Sequence, residues 1–180
     1  MPSTFSQLYV QYVFAVKGRE NMIKPIFQEE LYKYIAGIVE GKEQKSLAVN
    51  GMEDHIHVLV GLRPAMRISD LIRDIKNNSS NFINDNGLLK QKFSWQEGYG
   101  AFSYAQSNFG NVIDYIKNQK KHHETKTFRQ EYLGFLKKFN IPFEDKQPRQ
   151  CFGSLNSLIT ESEVHGHCAS ANKGSDFISL

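Results

Sequence analysis

The sequence is poor in cysteine, with Cys151 and Cys168 its only two, both within the last 30 of 180 residues. The body of the chain therefore has neither a disulfide framework nor a cysteine-based zinc site. No apolar run approaches the roughly 18 residues of a membrane span. The first residues lack a basic segment followed by an apolar one, so we expect no signal peptide and a cytoplasmic protein.

The chain also lacks a strong excess of charge, with 22 basic and 19 acidic residues, a net charge of +3 and a pI of about 8.8. This balance is compatible with a nucleic-acid partner but does not identify one. The length suffices for one domain with a core.

The stretch 148–180 is rich in serine and has no sustained hydrophobic periodicity. We therefore predict one catalytic domain over 1–147 and a disordered tail over 148–180. The tail contains His165-Gly166-His167-Cys168, but nothing around this cluster predicts a rigid element that would hold metal ligands in place.

Hydrophobic spacing predicts the element order β-α-β-β-α-β-α-α. The predicted strands cover 8–16, 46–49, a stretch that contains His55 and His57 and ends near Arg63-Pro64, and 99–105. The predicted helices cover 25–39, 68–83, 109–123 and 127–139. Asn50-Gly51 is typical of the turn between two strands. Short connections and this order predict an α+β fold, a ferredoxin-like (RRM-like) antiparallel sheet with helices packed on one face.

The most informative segment runs from Asp54 to Val60. A strand has a side-chain period of two, so His55 and His57 share one face while Ile56 and Val58 take the core face. We expect two imidazoles side by side on the more open face of the sheet. Such a pair can ligate a metal or move protons; a surface pair or two hydrogen-bonded core histidines is the alternative.

A second set of residues lies on the predicted helix 109–123. Tyr115 and Gln119 are one turn apart on the same helix face. A phenol can attack a phosphodiester, although its ordinary pKa of about 10 leaves little phenolate at neutral pH. Two imidazoles and the oxygen of Gln119 could hold a divalent cation that polarises the phosphate, and Mn²⁺ tolerates such mixed ligands better than Mg²⁺.

These residues resemble a known family. His55-Ile56-His57 is similar to the His-hydrophobic-His motif of HUH endonucleases, and Tyr115-x-x-x-Gln119 resembles the tyrosine and third metal ligand of single-tyrosine HUH transposases. Those are the TnpA-like proteins of small bacterial insertion sequences, and the related REP-associated tyrosine transposases fit the same motifs. Three more segments resemble the family in the same order: Phe14-Ala15-Val16-Lys17-Gly18-Arg19, Lys76-Asn77-Asn78-Ser79-Ser80 and Trp95-Gln96-Glu97-Gly98-Tyr99-Gly100.

The resemblance implies a DNA transposase that cleaves and rejoins single-stranded DNA at hairpin-marked element ends through a 5′-phosphotyrosine intermediate. It implies Tyr115 as nucleophile, and His55, His57 and Gln119 as ligands of Mg²⁺ or Mn²⁺. It further implies a homodimer in which the tyrosine helix of one subunit can complete the histidine site of the other.

Basic residues are the candidates for contacts to DNA phosphates, with a solvated surface as the alternative. They lie at the end of the first strand and on the polar side of the helix 68–83: Lys17, Arg19, Arg67, Arg73 and Lys76.

Two other enzyme classes fit less well. A HIT-like hydrolase needs a third alternating histidine, but position 59 is leucine. A two-histidine phosphoesterase needs two His-x-Ser/Thr motifs, but position 57 is histidine and no second copy is evident. The remaining alternative is a hairpin-binding α+β module, or a domesticated transposase that does not cut. The presence of His55, His57, Tyr115 and Gln119 together favours the enzyme.

Overall fold

Four antiparallel strands form the centre of the fold in the computed structural model, which describes residues 5–143. In chain order the elements are β1 (Leu8–Ala15), α1 (Pro25–Gly41), β2 (Lys45–Gly51), β3 (His55–Leu62), α2 (Ile68–Asp85), β4 (Gly100–Tyr104), α3 (Phe109–Lys117), α4 (Gln119–His123) and α5 (Phe128–Lys138). The strand order is β2-β3-β1-β4. With the βαββαβ connectivity this is a ferredoxin-like sheet, and the predicted α+β fold is confirmed.

Helices cover both faces of the sheet, so the prediction that they pack on one face is wrong. Tyr12 and Phe14 of β1 belong to the core beneath α1 and α2. Val13 and Ala15 pack instead against α5 on the opposite face, and Leu59 of β3 packs there against α3. The physical reason is that β1 is apolar on both faces apart from one glutamine, and a strand of this kind is buried on both sides.

The β2–β3 hairpin presents the two histidines, and its turn differs from the prediction. β2 continues through Gly51, which pairs with Ile56, so residues 52–54 make the connection. A Cβ atom on Gly51 would lie 2.2 Å from the carbonyl oxygen of His55. Only glycine allows this close approach of the two strands, and the backbone N–H of Met52 donates to the same oxygen at 2.9 Å.

The helix predicted over 109–123 is two helices, α3 and α4, which meet at Asn118 (φ −96°, ψ 23°). A contact from β2 explains the break. The side-chain amide of Asn50 donates to the carbonyl oxygens of Ile116 at 2.8 Å and Lys117 at 2.9 Å. In an unbroken helix these oxygens would accept from N–H groups four residues later. The long-range contact replaces those bonds.

A capping box fixes the start of α5. The Thr127 hydroxyl accepts from the backbone N–H of Gln130 at 3.3 Å, and the Gln130 side-chain oxygen accepts from the N–H of Thr127 at 2.9 Å. Such reciprocal bonds satisfy N–H groups that have no partner within the helix. They position the first turn of α5, which contains Glu131.

Some predictions fall outside the part of the chain that the structure describes. The domain boundary at residue 147, the tail over 148–180 and its His165–Cys168 cluster all lie there and stay predictions. Within residues 5–143, no helix is both long enough and apolar enough to cross a membrane.

Candidate functional site

His55 and His57 project from β3 towards α4 and α5. Their side chains are 1% and 0% exposed, so the expectation of an open sheet face is wrong. The alternation of β3 is as predicted, because Ile56, Val58 and Val60 lie in the opposite core. The histidines are buried because α4 and α5 cover their face of the sheet.

Asp54 fixes the His55 ring. The Nδ1 atom of His55 lies 2.6 Å from the Asp54 carboxylate, which also accepts from the Arg19 guanidinium at 2.6 Å. Burial alone would raise the pKa of Asp54, but His55 and Arg19 hold it at about 2. The ionised carboxylate accepts a hydrogen bond from Nδ1, so Nδ1 carries the proton of the ring. Burial lowers the pKa of His55 to about 4, so the ring is neutral. The neutral ring therefore presents the lone pair of Nε2, as in metal-binding histidines.

Gln11 of β1 contacts the other ring. Its side-chain amide lies 2.8 Å from Nδ1 of His57, and its oxygen accepts from the Tyr104 hydroxyl at 2.8 Å. With the amide nitrogen facing Nδ1, the proton of a neutral His57 is on Nε2. If the Gln11 amide is turned by 180°, its oxygen faces the ring instead. Nδ1 of His57 then donates a hydrogen bond to that oxygen, and Nε2 of His57 keeps its lone pair. The Tyr104 hydroxyl can accept from the turned amide, so both tautomers have partners.

Glu131 lies between the histidines and Tyr115, and sequence reasoning missed it. One carboxylate oxygen, Oε2, lies 3.7 Å from Nε2 of His55 and 3.4 Å from Nε2 of His57. The other oxygen, Oε1, accepts from the Tyr115 hydroxyl and, at 3.2 Å, from the Gln119 amide. Burial alone would raise the pKa of Glu131, but His57, His123 and Tyr115 hold it well below its ordinary value.

A signal for Glu131 was present in the sequence. Phe128, Glu131, Tyr132 and Phe135 have the i, i+3, i+4, i+7 spacing of one helix face, and all four are buried. An acidic residue on an apolar stripe needs a buried partner. The stripe thus indicated a charged group beneath α5, although the identity of its partners depends on the tertiary fold.

The cluster has the donors that a divalent cation requires. One ligand atom from each of His55, His57 and Glu131 lies within 4.8 Å of the others, so these residues could hold a metal. Within residues 5–143, six buried side-chain N or O atoms have no hydrogen-bond partner, and five belong to this cluster: Nε2 of His55, His57 and His123, Oε1 of Gln119 and Oε2 of Glu131. Buried polar atoms are normally satisfied, and a cation would satisfy these together.

Tyr115 and Gln119 lie at the edge of this cluster, on either side of the break between α3 and α4. The Tyr115 hydroxyl donates to Glu131, and its ring packs 4.6 Å from that of His122 and 6.1 Å from that of His57. Burial and the charge of Glu131 raise the pKa of Tyr115. Gln119 is fully buried. The structure thus brings the four predicted residues together within one chain, and their roles stay predictions.

A cavity of about 940 Å³ adjoins Tyr115 between α3, α4 and α5. Amide and basic side chains line it beside the tyrosine, among them Asn111, Asn118 and Lys126. Its size is that of a small-molecule pocket, and it gives a polar ligand access to the tyrosine side of the cluster.

Arg19 and Lys76 are half-buried and held by their partners, whereas the ion pairs of Arg73 with Asp70 and Asp74 lie at the surface. Arg19 binds Asp54 and lies over the Phe128 ring, 4.4 Å from its centroid. The Lys76 ammonium donates to the carbonyl oxygens of Gln96 at 2.6 Å and Gly98 at 2.9 Å. Lys76 thus ties α2 to the loop before β4.

The other basic candidates are exposed and are not brought together. Lys17 follows β1 at the His55 end of the sheet, because Ala15 pairs with His55. Arg67 follows β3, whose 8 residues extend about 23 Å at about 3.3 Å per residue. Arg67 directly precedes α2 and Arg73 lies on it, and α2 packs on the face of the sheet opposite the histidines. They form a surface separate from the buried cluster.

Fold and site together define a class: an α+β domain with a buried histidine–carboxylate cluster suited to a divalent cation, in contact with a tyrosine. Comparison with known proteins identifies the family. The model for the family described as "Transposase IS200 like" matches residues 4–119, well over half of the chain. The chain therefore belongs to the IS200-like transposases, and the resemblance to tyrosine transposases is confirmed. The matched segment contains His55, His57, Tyr115 and Gln119 and ends before His123 and Glu131.

Individual relatives agree with this assignment. Transposases of insertion sequence element IS200 from Salmonella typhimurium and Salmonella typhi are each 29% identical over 112 residues, which is 59% of this chain and 73% of theirs. A Deinococcus radiodurans crystal structure assigned as a transposase has a TM-score of 0.54 at 21% identity, over 66% of this chain and 95% of that one. A structure of a REP-associated tyrosine transposase bound to a REP hairpin has a TM-score of 0.51 at 17% identity, over 68% of this chain and 73% of that one. The two structures support the fold.

Proposed function

We propose that this transposase cleaves and rejoins single-stranded DNA at hairpin-marked element ends through a covalent bond to Tyr115, with Mg²⁺ or Mn²⁺ bound beside it. One observation carries the proposal: the Tyr115 hydroxyl and the two imidazoles contact opposite oxygens of the same buried carboxylate, Glu131. A nucleophile and a group of metal ligands therefore converge on one position next to an accessible cavity.

The chemistry follows from these contacts. The Tyr115 oxygen attacks the scissile phosphorus, held by its hydrogen bond to Oε1 of Glu131. The raised pKa of Tyr115 and the lowered pKa of Glu131 oppose proton transfer at rest, so the proton passes to Oε1 as the bond to phosphorus forms and makes it acidic. The bond from phosphorus to the 3′-oxygen breaks, and its electron pair stays on that oxygen. A bound cation supplies charge stabilisation at the phosphate. The phosphotyrosine keeps the energy of the cleaved bond, so attack by a 3′-hydroxyl rejoins strands without ATP.

The hairpin part of the proposal is supported by the solved relative that is bound to a REP hairpin. A non-catalytic hairpin-binding protein is the second possibility, and one experiment separates the two. The protein is incubated with single-stranded DNA from its own element's end and Mn²⁺ or Mg²⁺. We expect a covalent adduct that survives denaturing gels and maps to Tyr115 by mass spectrometry. Hairpin binding without an adduct would favour the second function, and an adduct on Tyr104 or Tyr132 would overturn the assignment of the nucleophile.

We further propose that Arg67 and Arg73 contact phosphates of the hairpin, because they are exposed at the start of α2 and on it, away from the buried cluster. Replacing both with alanine should flatten the slope of log K against log salt by about 1.4–1.8, or 0.7–0.9 for each lost phosphate contact. Arg73 pairs with Asp70 at the surface, which contributes little to stability. Lys24, which directly precedes α1, and Lys33 on α1 are replaced together as a control that removes the same charge. Equal slopes for the two variants would contradict the proposal.

We also propose a homodimer in which Tyr115 of either chain can serve a given histidine pair. The hinge would be the start of α3, where Gly110, the second residue of the helix, can adopt backbone angles closed to other residues. Mixing inactive Tyr115→Phe and His57→Ala chains tests it. Random exchange makes half of the dimers mixed, each with one intact shared site, so roughly a quarter of wild-type cleavage should return. Mixed dimers without cleavage would assign the site to one chain, and a monomer in light scattering would exclude the dimer.

A further inference from the structure

A third imidazole, that of His123, reaches the same carboxylate oxygen as His55 and His57. It is the last residue of α4, its side chain is 9% exposed, and its Nε2 lies 3.3 Å from Oε2 of Glu131. The centroid of its ring is 4.7 Å from that of His55. We propose that His123 is a metal ligand, so that three imidazoles and the Glu131 carboxylate hold the cation. This inference rests on the proposed metal site and changes its composition.

The hydrogen bond made by the other nitrogen of His123 supports this role. Its Nδ1 lies 2.8 Å from the carbonyl oxygen of Lys126. A carbonyl only accepts, so Nδ1 carries the proton, and a neutral ring then has its lone pair on Nε2. Asp54 imposes the same tautomer on His55. Metal-binding histidines have this arrangement, in which one nitrogen donates to an oxygen and the other faces the ion.

The three Nε2 atoms lie around one carboxylate oxygen, although the donors that all lie within 4.8 Å of one another are those of His55, His57 and Glu131. They lie 3.7, 3.4 and 3.3 Å from Oε2 of Glu131, and none has a hydrogen-bond partner among residues 5–143. When each ring carries its proton on Nδ1, three Nε2 lone pairs surround the carboxylate oxygen and repel it, and a cation placed among them turns this repulsion into coordination. Oε1 keeps its hydrogen bonds to Tyr115 and Gln119, so one carboxylate can serve both the ion and the nucleophile.

The competing role for His123 is a plain ion pair with Glu131 that holds α4 against α5. Burial alone would lower the pKa of His123, but Glu131 raises it, so without a cation the ring can carry a proton on Nε2. A proton and a metal cannot share that nitrogen. The two roles therefore make opposite predictions for metal affinity.

The composition of the site determines which ion it prefers. Mg²⁺ takes oxygen ligands and keeps several waters, whereas imidazole suits first-row transition ions. Three nitrogens and one carboxylate therefore favour Mn²⁺, Co²⁺ or Zn²⁺ over Mg²⁺. The unpartnered Oε1 of Gln119 offers a further oxygen, which leaves room for one phosphate oxygen in a six-coordinate site.

Metal titration without DNA tests the inference on the full chain. Mn²⁺ is titrated by calorimetry into metal-free protein, and Co²⁺ is followed through its visible absorption, which reports ligand number and type. We expect His123→Ala to weaken Mn²⁺ binding by at least about tenfold, the effect seen for groups that hold metal ligands, and to change the Co²⁺ spectrum. A 100-fold excess of Mg²⁺ should not displace Co²⁺ from the wild type.

His122→Ala is the matched control, because it removes the neighbouring imidazole, whose ring packs at a tilt against that of Tyr115. Its Mn²⁺ affinity and Co²⁺ spectrum should be those of the wild type. His123→Gln serves as a second variant, and circular dichroism verifies the fold of each. Wild-type affinity and spectrum in both His123 variants, with binding lost in His55→Ala, would overturn the inference and leave the proposed function intact. Absence of metal binding by the wild type would also overturn it, whereas only the adduct assay decides the role of Tyr115.

Discussion

Replacing Tyr115 with phenylalanine is expected to abolish the covalent DNA adduct, lowering its rate by about 10³-fold or more as for other enzymes that lose their nucleophile. DNA binding should persist, because the ring that packs between His122 and Phe135 remains. Rates of adduct formation on denaturing gels and affinities from fluorescence anisotropy measure the two effects. An adduct formed by Tyr115→Phe at the wild-type rate would contradict the assignment.

The same variant should also be less stable. The Tyr115 hydroxyl is a donor to the buried Glu131 carboxylate, and a lost hydrogen bond to a charged group costs about 1.5–3 kcal/mol. Chemical denaturation measures this change in the free energy of unfolding.

Tyr132→Phe is the matched control for the adduct assay. It removes a hydroxyl from the residue that follows Glu131 in α5 and leaves the nucleophile in place. It should form the adduct at the wild-type rate.

Local patterns in the sequence predicted which side chains of the site share a strand or helix face, but not all of the contacts between the helices and strands that carry them. The alternation around His55 and His57 identified which side chains share a face, because the period of a strand is a property of the backbone alone. That this face is buried was not predicted, although the apolar residues on both faces of β1 indicated it. Whether the histidine face is open or buried could be predicted only by examining the residues on both faces of β1, the neighbouring strand.

The break between α3 and α4 could not be predicted from the residues near it. Tyr115 and Gln119 have the spacing of one helix face, and Asn118 alone does not end a helix. The break arises from Asn50, distant in sequence, whose amide takes the carbonyl oxygens of Ile116 and Lys117. Glu131 was likewise missed because its partners come from other elements, while its place on an apolar stripe was visible.

Replacing His57 with alanine is expected to weaken Mn²⁺ binding by more than about 100-fold, since loss of a group that merely supports a ligand already costs about 10–100-fold. Adduct formation should fall in parallel. Gln119→Ala should have a smaller effect, because water can replace one oxygen ligand. Calorimetric titration of Mn²⁺ and the adduct assay measure these changes. An unchanged Mn²⁺ affinity in a His55/His57 double variant would exclude the site.

The His57 variant needs a control for folding, because the ring is fully buried and does not lie on an open surface as the sequence had indicated. Truncating a buried side chain of this size costs about 2–4 kcal/mol. Leu59→Ala makes a comparable cavity on the same face of β3, where Leu59 is 0% exposed and packs against Val112 and Ile116. It should lose similar stability in chemical denaturation and keep its Mn²⁺ affinity. If Leu59→Ala lost metal binding as fully as His57→Ala, the effect would arise from the cavity and not from the missing imidazole.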